Sequence, residues 1–153
     1  MATTTFDSEY RTRRVGDLRK RLASSGCRIT PQRMAVLDAL VNGPSHPTAD
    51  EIFLEVRRAN PSTSLATIYK TLDTLKSLGE VQELDLGSGR RHFDAVDPKD
   101  HPHVVCTTCG RIEDVNIPGA EDLMIRASQS SGYVLTTERI KFFGLCRGCQ
   151  TRG

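Results

Sequence analysis

The chain has 153 residues, 26% charged and 37% hydrophobic, a balance that suits one compact domain or two small ones and excludes general disorder. No apolar run approaches the ~20 residues of a membrane helix. The start, MATTTFDSEYRTRR, lacks the apolar core of a secretory signal, so a cytoplasmic protein with no membrane partner is expected. The formal net charge of +2 hides an asymmetry: from Arg11 to Arg33 the basic residues are Arg11, Arg13, Arg14, Arg19, Lys20, Arg21, Arg28 and Arg33, against the single acid Asp17. Such clustering is the footprint of a polyanionic partner or, alternatively, of a solvated helix face.

Val15, Leu18 and Leu22 mark a short first helix. Thr30 before Pro31 reads as an N-cap followed by proline at the first helical position, opening a second helix with Met34, Leu37 and Val41 inward and Asn42, Gly43 and Pro44 as its stop. Thr48 and Glu51 form a capping box for a third helix, with Ile52, Phe53 and Val56 facing the core and Asn60 and Pro61 beyond its end. Ser64 caps a fourth. Its apolar stripe is Leu65, Ile68, Leu72 and Leu75, leaving Ala66, Thr67, Lys70 and Thr74 outward and Tyr69 on the shoulder, with Gly79 at its end. Val81 to Leu86, a turn at Gly87, Ser88 and Gly89, and Arg90 to Phe93 read as a β-hairpin. Helices followed by such a hairpin predict a winged helix, whose last helix enters the major groove while the wing and helix starts meet phosphates.

Near residue 90 the periodicity changes, and beyond it lie nearly all the His and Cys residues. The expected elements are a strand over His103 to Cys106, a strand over Arg111 to Val115, a helix over Ala120 to Ser131 and a long strand over Tyr133 to Phe143. Such a unit is too small to bury a substantial core, so pairing with a second copy would stabilise it. The expected class is therefore α+β: a winged-helix DNA-binding domain over 1–93 and a small α/β dimerisation domain over 94–153.

Cys106 and Cys109 stand at CxxC spacing, as do Cys146 and Cys149, in CTTCG and CRGC. Two such knuckles supply four thiolates to a tetrahedral, closed Zn²⁺ site with no open position for substrate, which makes the site structural; two disulfides or a redox CxxC are the alternatives. Cys27 has no partner at metal spacing and reads as a small, partly buried side chain. In DHPHVVC, His101 and His103 are two apart, which in an extended segment puts both rings on one side, and Pro102 disfavours helix there. Asp94, Asp114 and His46 are the other candidate donors. A nitrogen and oxygen set without thiolate suits Fe²⁺ or Mn²⁺, although zinc can occupy it, and exposed histidines are also ordinary without a metal.

RITPQR (28 to 33), HPTADEIF (46 to 53), SLATIYKTL (64 to 72), FD (93 to 94), HPHVVCTTCG (101 to 110), IEDV (112 to 115) and GLCRGC (144 to 149) together resemble the ferric uptake regulator family. The resemblance implies a dimeric repressor, not an enzyme, with structural zinc on the four cysteines and a separate regulatory metal. It implies His46, Asp94, His101, His103 and Asp114 as regulatory ligands, so that one ion clips the two domains and fits a homodimer to a palindromic operator.

Residue choices resemble the peroxide-responsive branch: the FD position is Asp, where iron sensors usually show Glu, and the acid and histidine of the iron sensors' further site are here Pro102 and absent from TTERIKFF. Neither the regulatory cysteine of zinc sensors nor the Cys-Pro motif of haem sensors is present. The resemblance then implies peroxide as the signal, with no other small-molecule substrate: reacting at bound Fe²⁺, peroxide would oxidise His46 or His101, whereas with Mn²⁺ it would react weakly. The expected DNA contacts are Tyr69 and Lys70 toward base edges, Ser64 and Thr67 toward phosphate or sugar, and Arg28, Gln32, Arg33, Arg90 and Arg91 toward the backbone. The rivals are an iron-responsive repressor and, from another class, a non-haem iron enzyme built on a two-histidine, one-carboxylate triad.

Overall fold

A computed structural model describes residues 6–151. The chain divides into two compact units, the first spanning Phe6–Pro98 and the second beginning at Lys99.

In the first unit, α1 (Ser8–Ser24), α2 (Pro31–Asn42), α3 (Ala49–Ala59) and α4 (Leu65–Ser77) precede a hairpin of β1 (Gln82–Asp85) and β2 (Arg91–Asp94). Each helix begins on a side chain that accepts from a backbone N–H left without an intrahelical partner: Asp7 from Tyr10, Thr30 from Arg33, Thr48 from Glu51 and Ser64 from Thr67. The Thr48–Glu51 capping box is complete in both directions. Leu18, Leu22, Val36, Leu37, Val41, Ile52, Val56, Ile68, Leu72 and Leu75 are fully or almost fully buried together, so the predicted stripes converge on one core.

Three details differ from expectation. The first helix is 17 residues long, not short, because Asp7 caps it upstream of its apolar residues. Leu65, expected inward, is 36% exposed because it is the first residue after the Ser64 cap. Phe53 is half-buried, its ring covered by the Arg57 guanidinium 5.3 Å from the centroid. Gly43, at the C-cap of α2, is required by packing, since a Cβ there would lie 2.3 Å from the Ala39 carbonyl oxygen. The hairpin is antiparallel, pairing Gln82 with Asp94 and Leu84 with His92. Cys27 packs half-buried against the core.

The second unit holds a three-stranded sheet of order β4-β3-β5, from β3 (His103–Cys106), β4 (Ile112–Asp114) and β5 (Lys141–Gly144), with a 3-10 turn (Ala120–Asp122), α5 (Leu123–Ser131) and the one-turn α6 (Arg147–Gln150). β3 runs antiparallel to β4 and parallel to β5. The long strand expected over Tyr133 to Phe143 is absent: only its end pairs, beginning with His103 opposite Lys141. β3 begins at His103, whose N–H bonds the Ile140 carbonyl at 3.1 Å, and residues 133–140 carry no strand. Among the described residues no helix is long and apolar enough to cross a membrane.

Candidate metal centres

The strand β3, its turn and α6 bring the four cysteines together, each offering a sulfur within 4.8 Å of the others. All are free thiols, and the Cys109 and Cys146 sulfurs are 3.7 Å apart, too far for a disulfide. A tetrahedron with Zn–S arms of about 2.3 Å has edges of about 3.8 Å, so the spacing suits zinc. Gly110 closes the first knuckle at φ +72°, donating its N–H to the Cys106 carbonyl at 2.9 Å, a conformation side chains other than glycine rarely adopt. Hydrogen bonds from the amides of Cys109, Cys146 and Thr108 hold the Cys106 thiol down at about 6. Hydrogen bonding with Cys146, and then burial, pushes the Cys149 thiol up to about 12. One thiolate forms readily and the last does not, because the neighbouring sulfurs and burial favour its protonated form; a dication displaces that proton on binding.

On the other side of the same strand, the β3–β4 register sets His103 opposite Asp114. His103 is buried, its Nε2 3.5 Å from Asp114 Oδ1, and His101 Nε2 lies 3.0 Å from the same oxygen. The two rings are 4.3 Å apart. His101 Nδ1 sits 2.7 Å from the Lys99 carbonyl oxygen, an acceptor, so Nδ1 carries a proton and Nε2 is the nitrogen turned toward the carboxylate.

In the first unit, His46 and Asp94 form a second nitrogen–oxygen pair, both 5% exposed, with His46 Nε2 3.5 Å from Asp94 Oδ2. Asp94 uses its two oxygens differently: Oδ1 accepts from the N–H groups of Val96 at 2.9 Å and Asp97 at 3.1 Å, while Oδ2 faces His46. Ser45 Oγ is 2.7 Å from His46 Nδ1, so Nε2 is the ring nitrogen turned toward Asp94. Among the described residues His46 is the one non-glycine with positive φ, at 53°. That left-handed conformation costs on the order of 1 kcal/mol or more and must be held by its surroundings. His92, which the sequence left without a role, lies against this residue, its Nδ1 2.8 Å from the His46 carbonyl oxygen.

A family model described as the ferric uptake regulator family matches residues 24–143. The chain belongs to this family. Within it, the peroxide operon regulator of Bacillus subtilis is 37% identical over 131 residues, covering 86% of this chain and 90% of the relative. The peroxide stress regulator of Campylobacter jejuni has a solved structure 31% identical, with TM-score 0.65, covering 88% of this chain and 98% of that one. The Helicobacter pylori ferric uptake regulator, 22% identical with TM-score 0.76 and covering 98% of this chain and 97% of that one, confirms the α+β ferric uptake regulator fold. The relatives are named as regulators and repressors, not enzymes.

The predicted DNA-contact residues of this family member fall into two groups. Tyr69 and Lys70 stand exposed on α4, and Arg28 and Arg90 are exposed too. Others already have partners. Ser64 Oγ and Thr67 Oγ1 are 3.0 Å apart at the cap, Arg33 donates to the Arg28 carbonyl, and Arg91 pairs with Glu83, which also holds Lys76. Gln32 is half-buried. Lys76, then Arg91, outweigh burial to hold the Glu83 carboxyl below its usual range.

Proposed function

We propose that this protein is a homodimeric, metal-dependent repressor that binds palindromic operator DNA in the cytoplasm and leaves it when peroxide oxidises a histidine of its regulatory site. The observation that carries the reading is the separation of two donor sets: a closed four-sulfur group, and a nitrogen–oxygen group that contains no thiolate. Zinc on Cys106, Cys109, Cys146 and Cys149 is the structural brace. His101, His103 and Asp114, joined by His46 and Asp94, are the donors proposed for Fe²⁺ or Mn²⁺. Relatives of more than a third identity that are named for peroxide response support this branch.

Held by these ligands, Fe²⁺ would supply the redox chemistry that cleaves the peroxide O–O bond, so that one oxygen would be added to an imidazole carbon and the other would leave as water; Mn²⁺ would supply it far less readily. The chain's own groups set up the outcome: Ser45 Oγ engages Nδ1 of His46 and the Lys99 carbonyl accepts from Nδ1 of His101, so Nε2 of each ring is the nitrogen left to face an ion. An oxidised ring loses that lone pair and ligates poorly. For DNA, Tyr69 and Lys70 read base edges. Ser64, Thr67, Arg28, Gln32, Arg33, Arg90 and Arg91 meet the backbone, Arg33 and Arg91 after exchanging their present partners. Dimerisation is supported by the apolar surface of the second unit, where Ile125, Tyr133, Val134, Phe142, Phe143 and Leu145 are all at least 47% exposed and α5 buries no residue.

The test is operator binding by the Fe²⁺ and Mn²⁺ forms before and after low peroxide, with mass spectrometry of His46 and His101. The expected result is loss of binding and a gain of one oxygen for the Fe²⁺ form alone. Equal loss for both forms, or no added oxygen on either histidine, overturns peroxide sensing and leaves the iron-responsive reading.

A further inference from the structure

We propose that His92 is the positioning residue of the regulatory site: its Nδ1–H fixes the backbone of His46 in the left-handed conformation from which that ring serves as a ligand. The inference rests on the reading of His46 as a ligand, and goes beyond it by assigning a role to a histidine that is not one.

Three observations converge. His46 needs support, because φ of 53° is a conformation that a residue with a Cβ holds only when its surroundings impose it. The support comes from β2. The Phe93 N–H donates to the Pro47 carbonyl at 2.9 Å, Thr48 makes an antiparallel bridge with His92, and His92 Nδ1 meets the His46 carbonyl at 2.8 Å. The bridge, of which the Phe93 bond is part, uses main chain alone and does not depend on the side chain at 92. The third is the one made by a side chain, and it falls on the strained residue itself.

A carbonyl oxygen only accepts, so His92 Nδ1 must carry the proton, and in the neutral ring Nε2 is the acceptor, directed toward Ser88 Oγ at 3.5 Å. β2 thereby ends on Asp94, one partner of the pair, and two residues earlier clamps the other partner, His46. A side chain that orients a ligand from behind typically governs about 10- to 100-fold in metal affinity when removed.

The experiment compares His92→Phe, which keeps a flat ring but no donor, with His92→Asn, whose side-chain amide can stand where Nδ1 does, and with His46→Ala. Mn²⁺ affinity is read by calorimetry on the zinc-loaded full chain. Amide exchange at residues 46–48 and the ¹⁵N shifts of the His92 ring are read without Mn²⁺. His92→Phe should weaken Mn²⁺ binding about 10- to 100-fold and speed exchange at 46–48, and His92→Asn should restore most of both. The wild-type ring should show the Nδ1–H tautomer. If His46→Ala weakens Mn²⁺ binding but His92→Phe does not, the inference falls while the ligand reading stands. If His46→Ala binds Mn²⁺ like wild type, the ligand reading falls instead. An Nε2–H tautomer overturns the inference without any variant, including the case in which His92→Phe fails to fold.

Discussion

His46 carries a backbone constraint and a proposed chemical role on one residue, and the two can be separated by substitution. His46→Gly removes the ring but is at ease at φ 53°, whereas His46→Ala removes the ring and keeps the strain. Both should lose Mn²⁺-dependent operator binding, while the glycine variant melts higher, by about 1 kcal/mol in stability from denaturant titration. Equal stabilities would show that the strain is not stored in the backbone. Glu80 offers a second test. Burial raises its carboxyl, but hydrogen bonds from Arg14 and Arg21, at 2.8 and 2.7 Å, outweigh burial and leave it below its usual range.

A depressed native value means stability that is complete above the unfolded value, about 4.3, and lost as pH falls through the native one. Glu80→Gln should therefore cost about 1–3 kcal/mol near neutrality. The gap in melting temperature between variant and wild type should close as pH drops from about 6 to 3; a constant gap would remove the ion pairs from the account. The sequence showed the basic cluster but not this engagement. Of its eight basic residues, Arg14 and Arg21 serve Glu80, Arg11 donates to the Val41 carbonyl and Arg33 to that of Arg28. Charge can be counted along a chain, whereas partners 59 or 66 positions away cannot.

Elements were legible where a local rule governs them. Thr30, Thr48 and Ser64 cap as expected, because an N-cap needs only its own side chain and the amide three residues on. The Thr48 cap matters most for the site, since it fixes the start of α3 two residues after His46. Thr48→Ala should cost about 1 kcal/mol and, by loosening that start, lower Mn²⁺ affinity, as calorimetry will show. Ser64→Ala should match it in stability but leave Mn²⁺ affinity unchanged.

The strand over 133–140 failed because strand propensity says nothing about what lies alongside. The CxxC pairs were readable because ligand spacing is local, and the β3–β4 register that sets Asp114 opposite His103 was not. Removing zinc, by chelation or by Cys149→Ser, should unfold the second unit while α1–α4 keep their amide protection, a difference that hydrogen exchange resolves. Collapse of both together would deny the two units their independence.

The net charge of +2 says little about the molecule, because the functional content lies in how each surface is composed. The first unit presents Tyr69, Lys70, Arg28 and Arg90 as exposed side chains, the ones proposed to meet DNA. The second presents apolar side chains that a unit of its size cannot cover. Phe143, 58% exposed on β5, is a suitable probe: Phe143→Asp should shift sedimentation from dimer to monomer and abolish tight operator binding, leaving the melting of the first unit unchanged. The family resemblance made this surface legible in outline, since a small domain with few buried residues needs a partner. The individual residues emerged only once the sheet was known.

Asp94 bears on how readily the proposed regulatory site could change its metal. Its Oδ1 holds the turn through Val96 and Asp97, and its Oδ2 faces His46, so the chain's route out of β2 and the donor offered to an ion are chosen by the same carboxylate. Lengthening the arm by one methylene, as in glutamate, would carry both oxygens away from the amides that the shorter arm reaches. Substitution at this position therefore cannot be a change of ligand alone. An inheritance of the longer acid would require a rebuilt loop from 95 to 97, and a protein engineer exchanging one for the other should redesign those residues together.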